Sequence, residues 1–128
     1  MKKIITIKNA PAAIGPYSQA TVHEKTLYVS GQLPIDPATG DMATGDIVAQ
    51  THQVIKNLLA IINAAGSTAA DVLKVTILLT DMAHFSAVNE VYASYFDSNP
   101  PARICYQVVA LPKGACVEMD AIAAITYT

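Results

Sequence analysis

The stretch NPPARICYQVVALPKGACVEMD, residues 99–120, decides how the chain is read. It is mostly apolar and β-branched, the composition of buried strands, yet Arg103 stands near its start and Glu118 near its end. Charged side chains are seldom buried without a partner or a task. Two strands, 102–109 and 116–126, joined across LPKG, read as a hairpin. A tight turn at 111–114 sets residue 103 opposite 122. Alternate residues share a face, so Arg103 and Glu118 then project from the same side. A slip of one residue reverses that conclusion. On spacing alone the two charges read either as an ion pair stitching the hairpin or a subunit contact, or as two groups of a site.

Upstream, KIITI at 3–7 is strand-like, and Gly15-Pro16 in GPYSQA (15–20) is turn chemistry leading into a second strand. HEK at 23–25 is a polar turn before TLYVS at 26–30, a third strand, and GQLPIDPATGD at 31–41 reads as a loop. Ile47, Thr51, Val54, Ile55, Leu58, Leu59, Ile62 and Ala65 fall on one face at helical spacing, with Asp46 a fitting N-cap and Gly66 a fitting C′ residue. VLKVTILLT at 72–80 is a central strand by its unbroken apolar run. A second helix covers about 83–97, with Phe85, Val88, Tyr92, Tyr95 and Phe96 on its inner face. The order β-β-β-α-β-α-β-β gives one α+β domain over residues 1–128. Both helices link strands, which predicts that they lie together on one side of a single mixed sheet. The other sheet face then needs a cover.

Composition points the same way. The chain is 52% hydrophobic and only 14% charged, against about 25% charged in ordinary soluble domains. A homo-oligomer that hides part of the surface is the simplest account. The net charge is −2 without a basic stripe, so no nucleic-acid partner is expected. No run approaches the ~20 apolar residues of a membrane span. Cys105 and Cys116 make neither a disulfide framework nor a CxxC pair. A cytoplasmic protein with reduced thiols is expected, and an organellar location stays open.

The usual reactive constellations are missing. His23, His52 and His84 fit no metal-ligand spacing and read as solvated or hydrogen-bonded side chains. The glycines of GQLPIDPATGDMATG are not at phosphate-cradle spacing, and no serine sits in a nucleophile elbow. Cys105, mid-strand among apolar residues, reads as an inert small hydrophobe rather than a nucleophile.

Five blocks together carry a resemblance: GPYSQA at 15–20, SGQLPIDPATG at 30–40, KNLLAIINAAG at 56–66, VLKVTILLTDM at 72–82 followed by FSAVNEVYASYF, and PPARICYQVVALPKGACVEMDAIA at 100–123. In this order, over essentially the whole chain, they resemble the reactive-intermediate deaminase family, the Rid or YjgF group. The arginine of the PAR block points to its enzymatically active RidA branch. The resemblance implies a chorismate-mutase-like fold, a six-stranded mixed sheet with two helices on one face. It also implies a homotrimer with clefts between subunits, and hydrolysis of 2-imino acids to 2-keto acids and ammonia with no metal and no organic cofactor.

Under that resemblance the two charges receive different tasks. Arg103 matches the family arginine that grips the substrate carboxylate; a planar guanidinium does this with two parallel hydrogen bonds, so Arg103→Lys is expected to be damaging. Glu118 matches the glutamate that positions and activates water and returns a proton to nitrogen, helped by a main-chain carbonyl near Cys105. Tyr17 matches the tyrosine at the cleft rim, Ser30 and Gly31 the segment lining the site, and Asn89 a polar position near the substrate. Tyr17 reads equally as a packing aromatic in a turn, and Asn89 as an exposed helix residue. Two departures stand out: Ile104 follows the arginine where the family has a small residue, and Val109-Ala110 replaces a small-then-basic pair. On the opposite strand face Ile104 is harmless; at the cleft it would narrow substrate choice. A non-catalytic trimer binding a small ligand, or the chaperone and translation-inhibiting ribonuclease roles described for some relatives, are the alternatives.

Overall fold

The computed structural model describes residues 1–126; the last two residues of the expected 1–128 domain lie outside the described residues. Six strands, β1 (Lys3–Ile5), β2 (Ala20–His23), β3 (Thr26–Gln32), β4 (Val72–Leu79), β5 (Ala102–Gln107) and β6 (Val117–Ala124), form one sheet in the order β1-β2-β3-β6-β4-β5. Two helices, α1 (Ile47–Ala64) and α2 (Phe85–Tyr95), complete the α+β fold.

Helix α1 begins and ends where its sequence dictates. The Asp46 carboxylate accepts from the Ala49 amide at 3.1 Å, satisfying one of the orphan donors of the first turn. At the other end Gly66 takes a φ of 92°, while the amides of Gly66 and Ser67 bond back to Asn63 and Ile62. That is the Schellman arrangement, in which a left-handed residue lets the last carbonyls find partners. Val54, Ile55, Leu58, Ile61 and Ile62 of α1 are fully buried against Leu27, Val75, Ile77, Val117 and Met119 of the sheet. Helix α2 adds Val88, Val91 and Tyr92 to the same core, with Phe96 just beyond its end. The opposite sheet face carries exposed Tyr28, Ile104 and Tyr106, so both helices cover one side only.

The expected hairpin of 102–109 and 116–126 does not form. Strand β5 pairs parallel with β4, Val75 opposite Arg103 and Ile77 opposite Cys105, whereas β6 runs antiparallel between β3 and β4. The reason is the crossover: β4, α2 and β5 make one β-α-β unit, which sets β5 parallel beside β4. Residues 108–116 then carry the chain round the end of β4, fastened by Val108 N–H to Leu79 at 2.8 Å and Thr80 N–H to Cys116 at 3.2 Å. Strand β6 alternates buried residues with half-buried ones and the exposed Asp120, the strand's buried face turned to the helices. Strand β5 is mostly exposed, as an edge strand is. Strand β3 also runs on through Gln32, so Gly31 belongs to the strand with Ser30, and the loop expected at 31–41 begins only after Gln32. Among the described residues no helix is long and apolar enough to cross a membrane.

Candidate active site

The broken hairpin separates the two charges. Glu118 pairs with Leu78, and Arg103 with Val75. Val75 is buried under the helices, and Leu78, three residues on, faces the other way. Arg103 therefore stands on the helix side and Glu118 on the open side of the sheet, with β4 between them. The expectation that both project from one face is overturned, because it rested on a pairing of β5 with β6 that the crossover replaces. Each charge has its own surroundings.

Glu118 lies in a pocket of about 520 Å³ lined also by Tyr17, Ser30, Gly31, Gln19, Ile14 and Lys113. Strand β3 supplies its floor. Val29 opposes Ala121 and Gln32 opposes Met119, so Ser30 and Gly31 together face one residue of β6. Such a bulge bends the strand and re-aims what it carries. Gly31 is turned directly against Glu118: a Cβ there would overlap the carboxylate. Its φ lies outside the left-handed region, so space rather than backbone freedom requires the glycine. Ser30 donates its hydroxyl hydrogen to the Ser18 carbonyl at 2.6 Å, and its amide bonds to Gln19 at 2.9 Å. Its oxygen can thus still accept but has no hydrogen to offer. Burial pushes the Glu118 carboxyl above the ordinary glutamate range, and the neighbouring charge of Asp120 pushes in the same direction. A carboxyl tuned upward holds a proton more readily than an ordinary glutamate, which suits a group that must both accept and return one.

Tyr17 is half exposed at the rim, its hydroxyl accepting from the Ile14 amide at 3.4 Å. The wall it belongs to is fastened by a residue the sequence reading left inside the GPYSQA block without a role. Gln19 is buried; its Oε1 accepts from the Ile7 amide at 2.6 Å, and its Nε2 donates to the carbonyls of Ile7, Ala10 and Pro11 at 3.1, 3.2 and 2.8 Å. Lys113, at a left-handed φ of 58° in the LPKG turn, is a second lining residue that went unremarked. Behind the pocket Asn57 of α1, also buried, donates to the carbonyls of the lining residues Leu33 and Ile35 at 3.0 and 2.9 Å and pins the loop that follows β3.

Arg103, Asn89 and Cys105 form the other group. Arg103 Nη1 donates to Asn89 Oδ1 at 2.7 Å, and its guanidinium carbon lies 5.0 Å from the Tyr92 ring centroid and 5.6 Å from that of Phe85. Cys105, two residues on, packs against the core. Burial raises its thiol, the Arg103 charge lowering it in part, so the sulfur stays a thiol. Ile104 points to the open face, the side away from Arg103, and Val109 is fully exposed in the loop after β5. His52 bonds to the Tyr95 hydroxyl at 2.7 Å, the hydrogen-bonded role expected of it.

Residues 7–125 match the family described as Endoribonuclease L-PSP. A 2-iminobutanoate/2-iminopropanoate deaminase of Capra hircus is 51% identical over 123 residues, covering 96% of this chain and 90% of the goat protein. The solved structure of YyfA, a Rid-family protein of Yersinia pestis, superposes with a TM-score of 0.95 at 49% identity, covering 98% of this chain and all of that one. The structure of TdcF of E. coli with bound serine superposes with a TM-score of 0.93 at 39% identity, covering 97% of this chain and 99% of that one.

Proposed function

The chain belongs to the Endoribonuclease L-PSP family, the Rid/YjgF group, and from that premise we propose that it hydrolyses 2-imino acids such as 2-iminobutanoate and 2-iminopropanoate to 2-keto acids and ammonia. The observation that carries the reading is the pairing of an upward-tuned Glu118 in a pocket with an oriented, uncompensated Arg103. A 2-imino acid needs both: a cation for its carboxylate and a proton carrier for its C=N bond.

In this reading the guanidinium of Arg103 takes the carboxylate with two charge-assisted hydrogen bonds. Glu118 accepts a proton as water oxygen bonds to the imine carbon, and the C=N π pair moves to nitrogen, which takes up a proton. Glu118 then takes the hydroxyl proton of the carbinolamine and returns a proton to nitrogen, and the C–N bond breaks with its electron pair on nitrogen, releasing ammonia and leaving the keto acid. One water is consumed and no electrons are exchanged. Tyr17 and Ser30 line the water side; Gly31 keeps room for the carboxylate beside them.

The homotrimer belongs to the same proposal. Arg103 and Glu118 stand on opposite faces of one sheet, so a single chain cannot close them round a small ligand. Exposed Tyr28, Ile104 and Tyr106 leave an apolar sheet face that a neighbouring copy would cover. Such a copy would bring the partner subunit's Arg103 to this chain's Glu118 pocket. A ribonuclease, as the family description reads, fits less well: the net charge is −2 and the lining of the pocket offers one lysine.

The test generates 2-iminobutanoate in situ and follows release of 2-ketobutyrate. The wild type accelerates release, and Arg103→Ala loses that acceleration on the order of a thousandfold, as expected for two charge-assisted bonds of about 1.5–3 kcal/mol each, while the folded assembly survives. Full activity in Arg103→Ala overturns the proposal. A protein that binds 2-ketobutyrate but leaves imine hydrolysis at its spontaneous rate is a ligand-binding protein, a role that the serine-bound structure of TdcF makes worth measuring.

A further inference from the structure

Arg103 is the only arginine in the chain, and its seat comes from a single face of α2. Phe85, Asn89 and Tyr92 are spaced i, i+4, i+7, which stacks them along one side of a helix. The guanidinium meets an amide oxygen from Asn89 and the faces of two rings. None of these groups carries a formal charge. Among the described residues the one ion pair within 4 Å joins His23 and Glu24, far along the chain from Arg103. A carboxylate in this position would fix the arginine more firmly, but it would also occupy the fork and cancel the charge that an incoming anion must find.

Tyr92 is the rigid member of the three. It is 5% exposed, and its ring packs against Phe96 with centroids 4.6 Å apart. Its hydroxyl is buried and, among the described residues, meets no hydrogen-bond partner. The ring face is therefore the working part of the side chain, and the oxygen contributes nothing to the grip. Burial pushes the hydroxyl up to about 12, against a smaller downward pull from Arg103, so the ring stays neutral throughout the working range.

We propose that Phe85, Asn89 and Tyr92 form an uncharged rest that orients Arg103 for a carboxylate ligand, with Tyr92 as a positioning residue acting through the plane of the guanidinium. Asn89 in this arrangement holds the arginine, rather than the substrate contact expected of it from the sequence. The identity of the ligand rests on the function proposed above; the rest itself does not.

Two measurements separate the two ideas. The first uses no ligand. Rotation of the arginine side chain about its Nε–Cζ bond is read by nuclear magnetic resonance, and a chain with one arginine gives one unambiguous signal. Rotation is slow in the wild type and in Tyr92→Phe, and severalfold faster in Tyr92→Leu, which keeps an apolar volume but removes the ring face. Equal rates in wild type and Tyr92→Leu overturn the proposal. The second is turnover of 2-iminobutanoate. Tyr92→Leu raises KM about tenfold, equivalent to about 1.4 kcal/mol, with kcat within about twofold, and Tyr92→Phe restores the wild-type value. Asn89→Asp, on an exposed position that does not threaten the fold, slows rotation yet raises KM further, because the new carboxylate competes with the substrate. A Tyr92→Leu protein that melts earlier but keeps its KM and its rotation rate shows a merely structural tyrosine and overturns the proposal. If the wild type itself shows no turnover, the deaminase reading fails, and the rotation measurement still decides the rest.

Discussion

Glu118 and Arg103 are the two charges of one candidate site, and they are held by opposite means. Glu118 is fixed by an omission. Gly31 leaves out a side chain, the bulge in β3 turns that gap toward the carboxylate, and partial burial raises the proton affinity. Arg103 is fixed by additions, an amide oxygen and two aromatic faces placed round an exposed edge strand. The difference follows from what each charge must do. A proton carrier needs its affinity adjusted, and desolvation adjusts it. An arginine is protonated at any working pH, so it needs orientation and an unspent charge rather than tuning.

The sharpest way to break this contrast is Glu118→Gln. Removing the proton carrier lowers kcat about a thousandfold, and the protein becomes more stable at pH 7. The folded state raises the Glu118 pKa above its unfolded value. Its favourable contribution is therefore complete below the unfolded pKa and is lost as pH rises through the folded one. Glutamine never ionises and escapes that cost. A thermal melt at pH 7 that falls instead of rising would show that the carboxylate is stabilising, as a paired charge would be. Arg103→Ala makes a loss of similar size without the stability gain: it gives up the Asn89 bond and two ring contacts, so its melting temperature falls by a few degrees, as the loss of about 1 kcal/mol predicts.

Gly31→Ala should act next most strongly. The added methyl group displaces the carboxylate, and misplacement by about 1 Å costs on the order of a hundredfold in rate. Affinity for 2-ketobutyrate, a property assigned to Arg103, should persist in calorimetry; loss of both together would mean that the two charges are not separately held. Asp120→Asn is the mildest probe. It removes the lesser of the two causes that raise Glu118. The acid limb of the kcat/KM profile should move down toward the ordinary glutamate range without reaching it, because burial, the larger cause, remains. An unmoved limb would assign the whole shift to burial.

Local order was easier to read from the chain than pairing was. The strand and helix order, the Asp46 cap and the Gly66 terminus are each written within a few residues, and they stand where the spacing places them. The partner of β5 is not local. It depends on α2 returning the chain beside β4, and the short LPKG turn concealed this by imitating a hairpin. That one error moved Arg103 to the wrong face, because side chains alternate strictly along a strand. Within the site, the residue types at 17, 30, 31, 89, 103 and 118 were legible as family blocks, but their grouping was not. Tyr17, Ser30, Gly31 and Glu118 line one pocket, while Asn89, Arg103 and Cys105 lie apart from it. Gln19 escaped because a glutamine in a loop carries no signal until its carbonyl partners are known. Gly31 was visible as a glycine, but the reason for it, room rather than a turn, exists only once β6 lies beside β3.

The place of β6 also governs how the molecule can be made. It is the last strand of the described chain to leave the ribosome and the one that joins β3 to β4. Without it, β1, β2 and β3 would be one ribbon and β4 and β5 another, each with an open edge. Such edges invite pairing with other chains. The final strand alone turns two fragments with open edges into one sheet.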